Sequence, residues 1–205
     1  MRAFRPVHVV RRLARALGLI PADGRNFVLE LLAKDAVCAE IGVHTGEFSR
    51  RILRATKPRE VHLVDPWKHE AGDVYRRALY GGGARGGQVE MDERHDAVVA
   101  RFRSEIRRGR VIVHRGYSTD VLSRFTDASF DWVYIDGNHT YEYVKADLEL
   151  CFRKVKRGGY VAGDDYTEAG WWRDGVVRAV DEFIAGQPVR VVVMRDRQYV
   201  LEKTR

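Results

Sequence analysis

Between residues 36 and 203 the chain alternates short, almost wholly apolar runs with amphipathic stretches, and this alternation limits its fold more than any other feature. "AVCAEIGV" (36–43), "EVHLVD" (60–65), "RVIVHRG" (110–116), "FDWVYID" (130–136) and "GGYVAG" (158–163) read as strands. Unbroken apolar runs of this length suit strands buried on both faces, as in a parallel sheet covered by helices. The intervening segments fit that reading. "TYEYVKADLELCFRKV" puts Tyr141, Val144, Leu148, Phe152 and Val155 on one helical face, and "DERHDAVVARFRSEI" and "DGVVRAVDEFIAG" are further helices. "VRVVVM" and "QYVLEK", joined at "RDR", read as a closing antiparallel hairpin. The expected architecture is α/β: seven strands, mostly parallel, with a terminal antiparallel hairpin and helices on both faces. Residues 36–205 form this domain. Residues 1–35 precede it as a helical arm, a candidate for covering the site, packing on the core or joining a second subunit in a homo-oligomer. Residues 68–90, with "GGGARGG", read as a flexible loop.

Composition excludes several classes. The 205 residues suffice for one domain with a real core, and 45% apolar with 32% charged residues excludes disorder. No apolar run approaches a membrane span. Arg11, Arg12 and Arg15 interrupt any signal-peptide core at the basic N-terminus, so a cytoplasmic location is expected. Cys38 and Cys151 sit in apolar segments and read as buried reduced thiols. The formal charge of +7 permits an anionic partner. The densest basic run, "ARFRSEIRRGRVIVHR", lacks the interleaved aromatics that stack on bases, so nucleic acid is not the expected partner.

Two strands end in acids. Asp136 follows "WVYI", with Asn138 and His139 close behind, and Asp164 and Asp165 follow "GYVAG". Right-handed crossovers return successive parallel strands in one direction. If these two strands are neighbours, ~4.8 Å apart, the three carboxylates crowd one rim of the sheet. Two like charges at ~4 Å cost about 4 kcal/mol at an effective dielectric of ~20. Such a rim calls for a cation, a proton or splayed side chains; a hard divalent ion such as Mg²⁺ suits an all-oxygen set. One Asp capping a helix while another binds a cofactor is the alternative.

"EIGVHTGEFS" (40–49) joins the first strand to its helix, with Gly42 and Gly46 permitting a tight turn against a ligand. It is not the dinucleotide GxGxxG, which disfavours an NAD-dependent oxidoreductase. Asp65 ends the second strand, placed to accept both ribose hydroxyls of a nucleoside cofactor.

The whole pattern resembles the class I S-adenosylmethionine-dependent methyltransferases, with their Rossmann-like sheet, over about residues 36–203. The resemblance implies that Glu40, Gly42, Thr45 and Gly46 hold the methionine part of the cofactor, that Asp65 holds the ribose, and that Gly116 to Ser118 lie near the adenine. The stretch "IDGNHTYEYVKADLELCFRKVKRGGYVAGDDY" is similar to the metal-dependent sugar O-methyltransferases of macrolide and aminocoumarin type, and to compact bacterial enzymes that methylate polysaccharide sugars. It implies Asp136, Asp164 and Asp165 as ligands of Mg²⁺ or Mn²⁺, Asp136 as a catalytic anchor and His139 as general base. Tyr166, Trp171 and Trp172 offer aromatic surface to a sugar; core or lid packing is the competing role. The expected function is O-methylation of a carbohydrate hydroxyl. The rivals are methylation of RNA or of another small-molecule hydroxyl, and a non-catalytic sugar-binding protein keeping a vestigial methyltransferase fold.

Overall fold

The structure, a computed structural model, describes residues 25–205. Most of the expected N-terminal arm lies outside the described residues. Its last turns form α1 (Arg25–Leu31), whose Val28 and Leu29, with Leu32 just beyond, are buried in the core. The strands are β1 (Val37–Ile41), β2 (Glu60–Asp65), β3 (Val111–Arg115), β4 (Phe130–Ile135), β5 (Val155–Gly163), β6 (Val189–Arg195) and β7 (Gln198–Lys203). They form one sheet in the order β3-β2-β1-β4-β5-β7-β6. β1 to β5 run parallel, and β7 is antiparallel to both β5 and β6. This is the Rossmann-like methyltransferase topology.

Alternation along the strands divides the core in two. Cys38, Trp132 and Tyr134 face one side with Val61, Leu63 and Ile52. Their neighbours Ala39, Val133 and Ile135 face the other, with Leu148 and Val180. Successive strand residues point to opposite faces, so apolar residues at every position serve two layers at once. The helices that cover these layers include α2 (Glu47–Ala55), α3 (Gly87–Arg101), α4 (Arg103–Arg107), α5 (Ser118–Leu122), α6 (Tyr141–Lys154) and α7 (Gly175–Gly186). None of the helices among the described residues is long and apolar enough to cross a membrane. Cys38 and Cys151 are free thiols and fully buried.

Several expectations are corrected. The helix expected from residue 92 starts at Gly87 and breaks at Phe102 into α3 and α4. Strand β5 begins at Val155, three residues before the glycines, so Val155 leaves the helical face assigned to it. The segment before α3 is a chain of hydrogen-bonded turns around a 3-10 turn at Asp73–Tyr75. Gly81 packs so closely on the Tyr75 carbonyl that a side chain there would collide with it. Gly82 meets the Arg76 carbonyl in the same way, so both glycines permit close backbone approach.

β1 lies between β2 and β4, so the chain leaves it in opposite directions before and after β3. Loops diverge from such a switch point and open a crevice at the carboxyl ends of the strands.

Candidate active site

That crevice holds a cavity of about 430 Å³, within the range of small-molecule sites. Its floor is the loop after β1. Gly42 has φ 86, and a side chain there would strike the Asp136 carbonyl. Asp136 N donates to Ile41 O at 2.7 Å, tying the loops after β1 and β4 together. Glu40, 1% exposed, reaches the cavity wall. Burial, helped by the nearby Asp136 charge, pushes its carboxyl up to about 8. Its Oε2 has no partner among the described residues, so an ammonium group would find a buried acceptor there.

Asp65, at the end of β2, is fully committed. Its Oδ2 accepts from Val43 N (2.8 Å), His44 N (2.9 Å) and the Tyr80 hydroxyl. Its Oδ1 accepts from Trp67 N at 2.7 Å. Burial raises its pKa against the pull of these donors. Tyr80, from the turn-built segment, thus occupies the ribose-binding face that the sequence assigned to Asp65. Thr45 lines the cavity, and Gly46, at φ 74, starts α2. Ser118 Oγ donates to Asp147 of α6, a buried residue raised to about 7 by desolvation. Both line the cavity where the sequence placed the adenine.

β4 and β5 are paired neighbours, with Ile135 opposite Gly163, so the three acids do converge. They are not equivalent. Asp136 and Asp165 line the cavity, whereas Asp164 does not. Asp164 turns back, accepting from Asp165 N at 2.7 Å and from Gln198, and reaches Arg25 with its other oxygen. Its pKa is raised to about 6, first by burial and then by the Asp136 charge. Arg25 also bridges to Asp136 at 2.9 Å, and Arg197 in the β6–β7 turn pairs with Asp165. Two guanidinium groups against three carboxylates leave one formal negative charge.

His139 sits on this cluster. Its Nε2 is 2.7 Å from Asp165 and 3.6 Å from Asp136, yet it makes no hydrogen bond of proper geometry. Trp172 stacks on the His139 ring at 4.5 Å between centroids, and Trp171 stands edge-on at 6.2 Å. Both tryptophans line the cavity. Tyr166 does not: its hydroxyl donates to Asp181 on α7 at 2.8 Å.

Donor chemistry decides whether a cation fits. Ligand atoms of Asp136, His139 and Asp165 lie within 4.8 Å of one another. Groups sharing an ion with bonds of about 2.0–2.6 Å spread over roughly 4–5 Å, so the set fits. The orphaned, buried His139 Nε2 supports the fit. An imidazole among carboxylates shifts preference from Mg²⁺ toward Mn²⁺ or a later transition metal.

Comparison with known proteins fixes the family. A model described as a methyltransferase domain matches residues 39–166. The chain belongs to the methyltransferase-domain family. Over 55 residues this methyltransferase-family chain is 38% identical to an uncharacterized protein of Acanthamoeba polyphaga mimivirus; the stretch is 27% of the chain and about a quarter, 24%, of that relative. Its fold matches the Bacillus cereus O-methyltransferase solved in complex with SAH (TM-score 0.61, 16% identity, 100% of this chain and 93% of that one). It also matches the cofactor-bound Rv0187 of MTB (0.63, 16%, 97% and 90%) and an rRNA methylase of Streptococcus thermophilus (0.55, 12%, 100% and 100%). At these identities the likeness is one of fold, shared by a solved O-methyltransferase and an rRNA methylase alike.

Sequence reasoning missed Tyr80, Arg25, Arg197, Gln198 and Asp147. Only Asp147 carried a signal: an acid on the otherwise apolar side of α6, between Val144 and Leu148.

Proposed function

We propose that the protein is an S-adenosylmethionine-dependent O-methyltransferase acting on a sugar hydroxyl, with a divalent cation at Asp136 and Asp165. The observation that carries the reading is His139, poised on the acid cluster between two tryptophans that face the cavity. S-adenosylmethionine supplies an activated methyl group, and a divalent cation at the cluster would lower the pKa of an acceptor hydroxyl.

The chain's own residues supply the rest. Glu40 provides a buried acceptor for the cofactor's ammonium, and Asp65 for its ribose once Tyr80 is displaced. Trp171 and Trp172 present aromatic faces to the sugar's C–H surface and narrow the access of water. His139 Nε2 takes the hydroxyl proton, and Asp136 and Asp165 hold the resulting positive charge. Most of the rate gain in such a transfer is positioning, because the methyl donor is already activated.

The 4.8 Å cluster favours a second role for the same nitrogen, as a metal ligand. Nε2 cannot bind a cation and accept a proton together, so the two roles exclude one another. The test is a panel of sugars, with RNA alongside, and labelled methyl donor, run with EDTA and then with Mn²⁺ or Mg²⁺ restored. Methylation of a sugar that stops with EDTA and returns with metal is expected. Labelled RNA with no labelled sugar would overturn the substrate class, and full activity in EDTA would overturn the cation.

A further inference from the structure

Beyond Trp171 the crevice continues into a second groove, lined by Asp73, Arg76, Arg77, Trp171 and Arg173 among others. Arg77 and Trp171 line the groove and the main cavity alike, so a molecule in one extends into the other past the indole. Trp171 is braced there, its ring 5.7 Å from that of Tyr75. The groove carries three arginines and one acid. Asp73 is spent on Arg76, 2.7 Å away. Arg77 and Arg173 have no hydrogen-bonded or ion-paired side-chain partner among the described residues. Arg173 is held at φ 56, a region uncommon for a residue with a side chain, by a turn in which its N–H donates to Gly170 O at 3.2 Å. The turn aims Trp171 and Arg173 at one groove.

We infer that the groove binds a phosphate group of the acceptor, making the substrate of this site a phosphorylated or nucleotide-activated sugar. The inference rests on the proposed reading of the acceptor as a sugar. Two uncompensated guanidinium forks match the charge of a phosphate monoester, near −1.5 to −2 at pH 7, or of a diphosphate bridge. Arginine binds phosphate oxygens in pairs through a rigid fork, which gives orientation as well as affinity. The phosphate in the groove fixes one end of the acceptor, while the sugar ring passes Trp171 with a hydroxyl toward His139.

The test is calorimetric titration of the full chain with S-adenosylhomocysteine bound, in EDTA so that no probe acts by sequestering metal. The probes are glucose, glucose 1-phosphate, UDP-glucose and UDP, each repeated with the Arg77→Gln/Arg173→Gln double variant. The phosphorylated probes are expected to bind at least tenfold more tightly than glucose and to weaken at least tenfold in the variant and in high salt. The Arg173→Gln single variant, altered outside the main cavity, should weaken the phosphorylated probes and leave S-adenosylhomocysteine affinity unchanged. Glucose 1-phosphate ahead of UDP identifies a sugar monophosphate as the source, and UDP-glucose ahead of both identifies a nucleotide sugar. Equal affinity for glucose and its phosphate, no binding of any phosphorylated probe, or full binding by the variant overturns the inference. A short RNA that binds through the same arginines more tightly than every mononucleotide probe does so as well. No step depends on methyl transfer, so methylation of neutral sugars with no phosphate preference sinks the groove alone, whereas phosphate binding without sugar methylation sinks the proposed reaction alone.

Discussion

The two halves of the crevice treat buried acids in opposite ways. On the β1–β2 side, Asp65 is held by three backbone N–H groups and a phenol from nearby chain segments. On the β4–β5 side, Asp136, Asp164 and Asp165 are held by arginines from the two ends of the described chain, Arg25 and Arg197. Backbone donors cannot be withdrawn without unfolding the loop, but a side chain can swing away. The first half therefore keeps three fixed donors and one movable phenol, whereas every counter-charge of the second half sits on a movable side chain.

The strongest way to break this contrast is His139→Ala. Loss of a general base lowers rate about 10²–10⁴-fold. Steady-state kinetics should show that drop in kcat with cofactor affinity unchanged, because the cofactor half does not depend on the ring. Metal affinity read by titration then separates the two roles: unchanged for a base, weakened for a ligand. A variant keeping more than about a third of wild-type kcat excludes both.

Arg25→Ala tests exchangeability directly. The guanidinium competes with a divalent ion for Asp136, and charge-assisted bonds of this kind are worth about 1.5–3 kcal/mol. Its removal should tighten Mn²⁺ binding about tenfold, measured calorimetrically. Unchanged or weaker binding would show that Arg25 supports the cation site instead of competing for it.

The smallest effect concerns Glu40 and sharpens the other side. Its folded pKa, about 8, stands above its ordinary 4.5. The native state thus holds a proton that the unfolded chain releases, and this group's contribution to stability falls as pH rises from about 4.5 through 8. A cofactor ammonium beside it reverses the preference, so binding expels that proton. Affinity should rise about fivefold from pH 6.5 to 7.5, within the tenfold per unit that one released proton allows, and level off as the cofactor's own amine loses its proton near 8. Glu40→Gln should flatten the profile; a profile unmoved by the substitution removes Glu40 from the cofactor site.

The same contrast explains what the sequence made legible. Strand positions were readable because burial on both faces writes apolar residues at every position of β1, β2 and β4. The meeting of Asp136 with Asp164 and Asp165 followed from parallel pairing of adjacent strands, a rule of chain direction. Arg25 and Arg197 were not legible. Their roles depend on where α1 and the β6–β7 turn come to rest, and nothing local in "DGRNF" or "RDRQY" marks a carboxylate partner. The separation of Asp164 from Asp165 was equally hidden. Asp165 adopts φ 60, which sends the two side chains apart after an identical approach. Tyr166 was hidden in the same way: it follows Asp165 directly, yet its hydroxyl reaches Asp181 on α7 instead of the cavity.

Tyr80 has a consequence for the timing of a catalytic cycle. Its phenol holds the carboxylate that the proposed cofactor ribose would need, so the chain carries its own tethered competitor. A tethered competitor lowers affinity for methyl donor and demethylated product alike, because both present the same ribose. Because the penalty is common to both, it leaves their relative affinities, and so the degree of inhibition by spent cofactor, unchanged. What it lowers is how fully either fills the crevice at a given concentration, since the phenol must leave Asp65 before a ribose can enter. Release of product often limits turnover, and here the returning hydroxyl of Tyr80 would reclaim Asp65 as each spent molecule leaves.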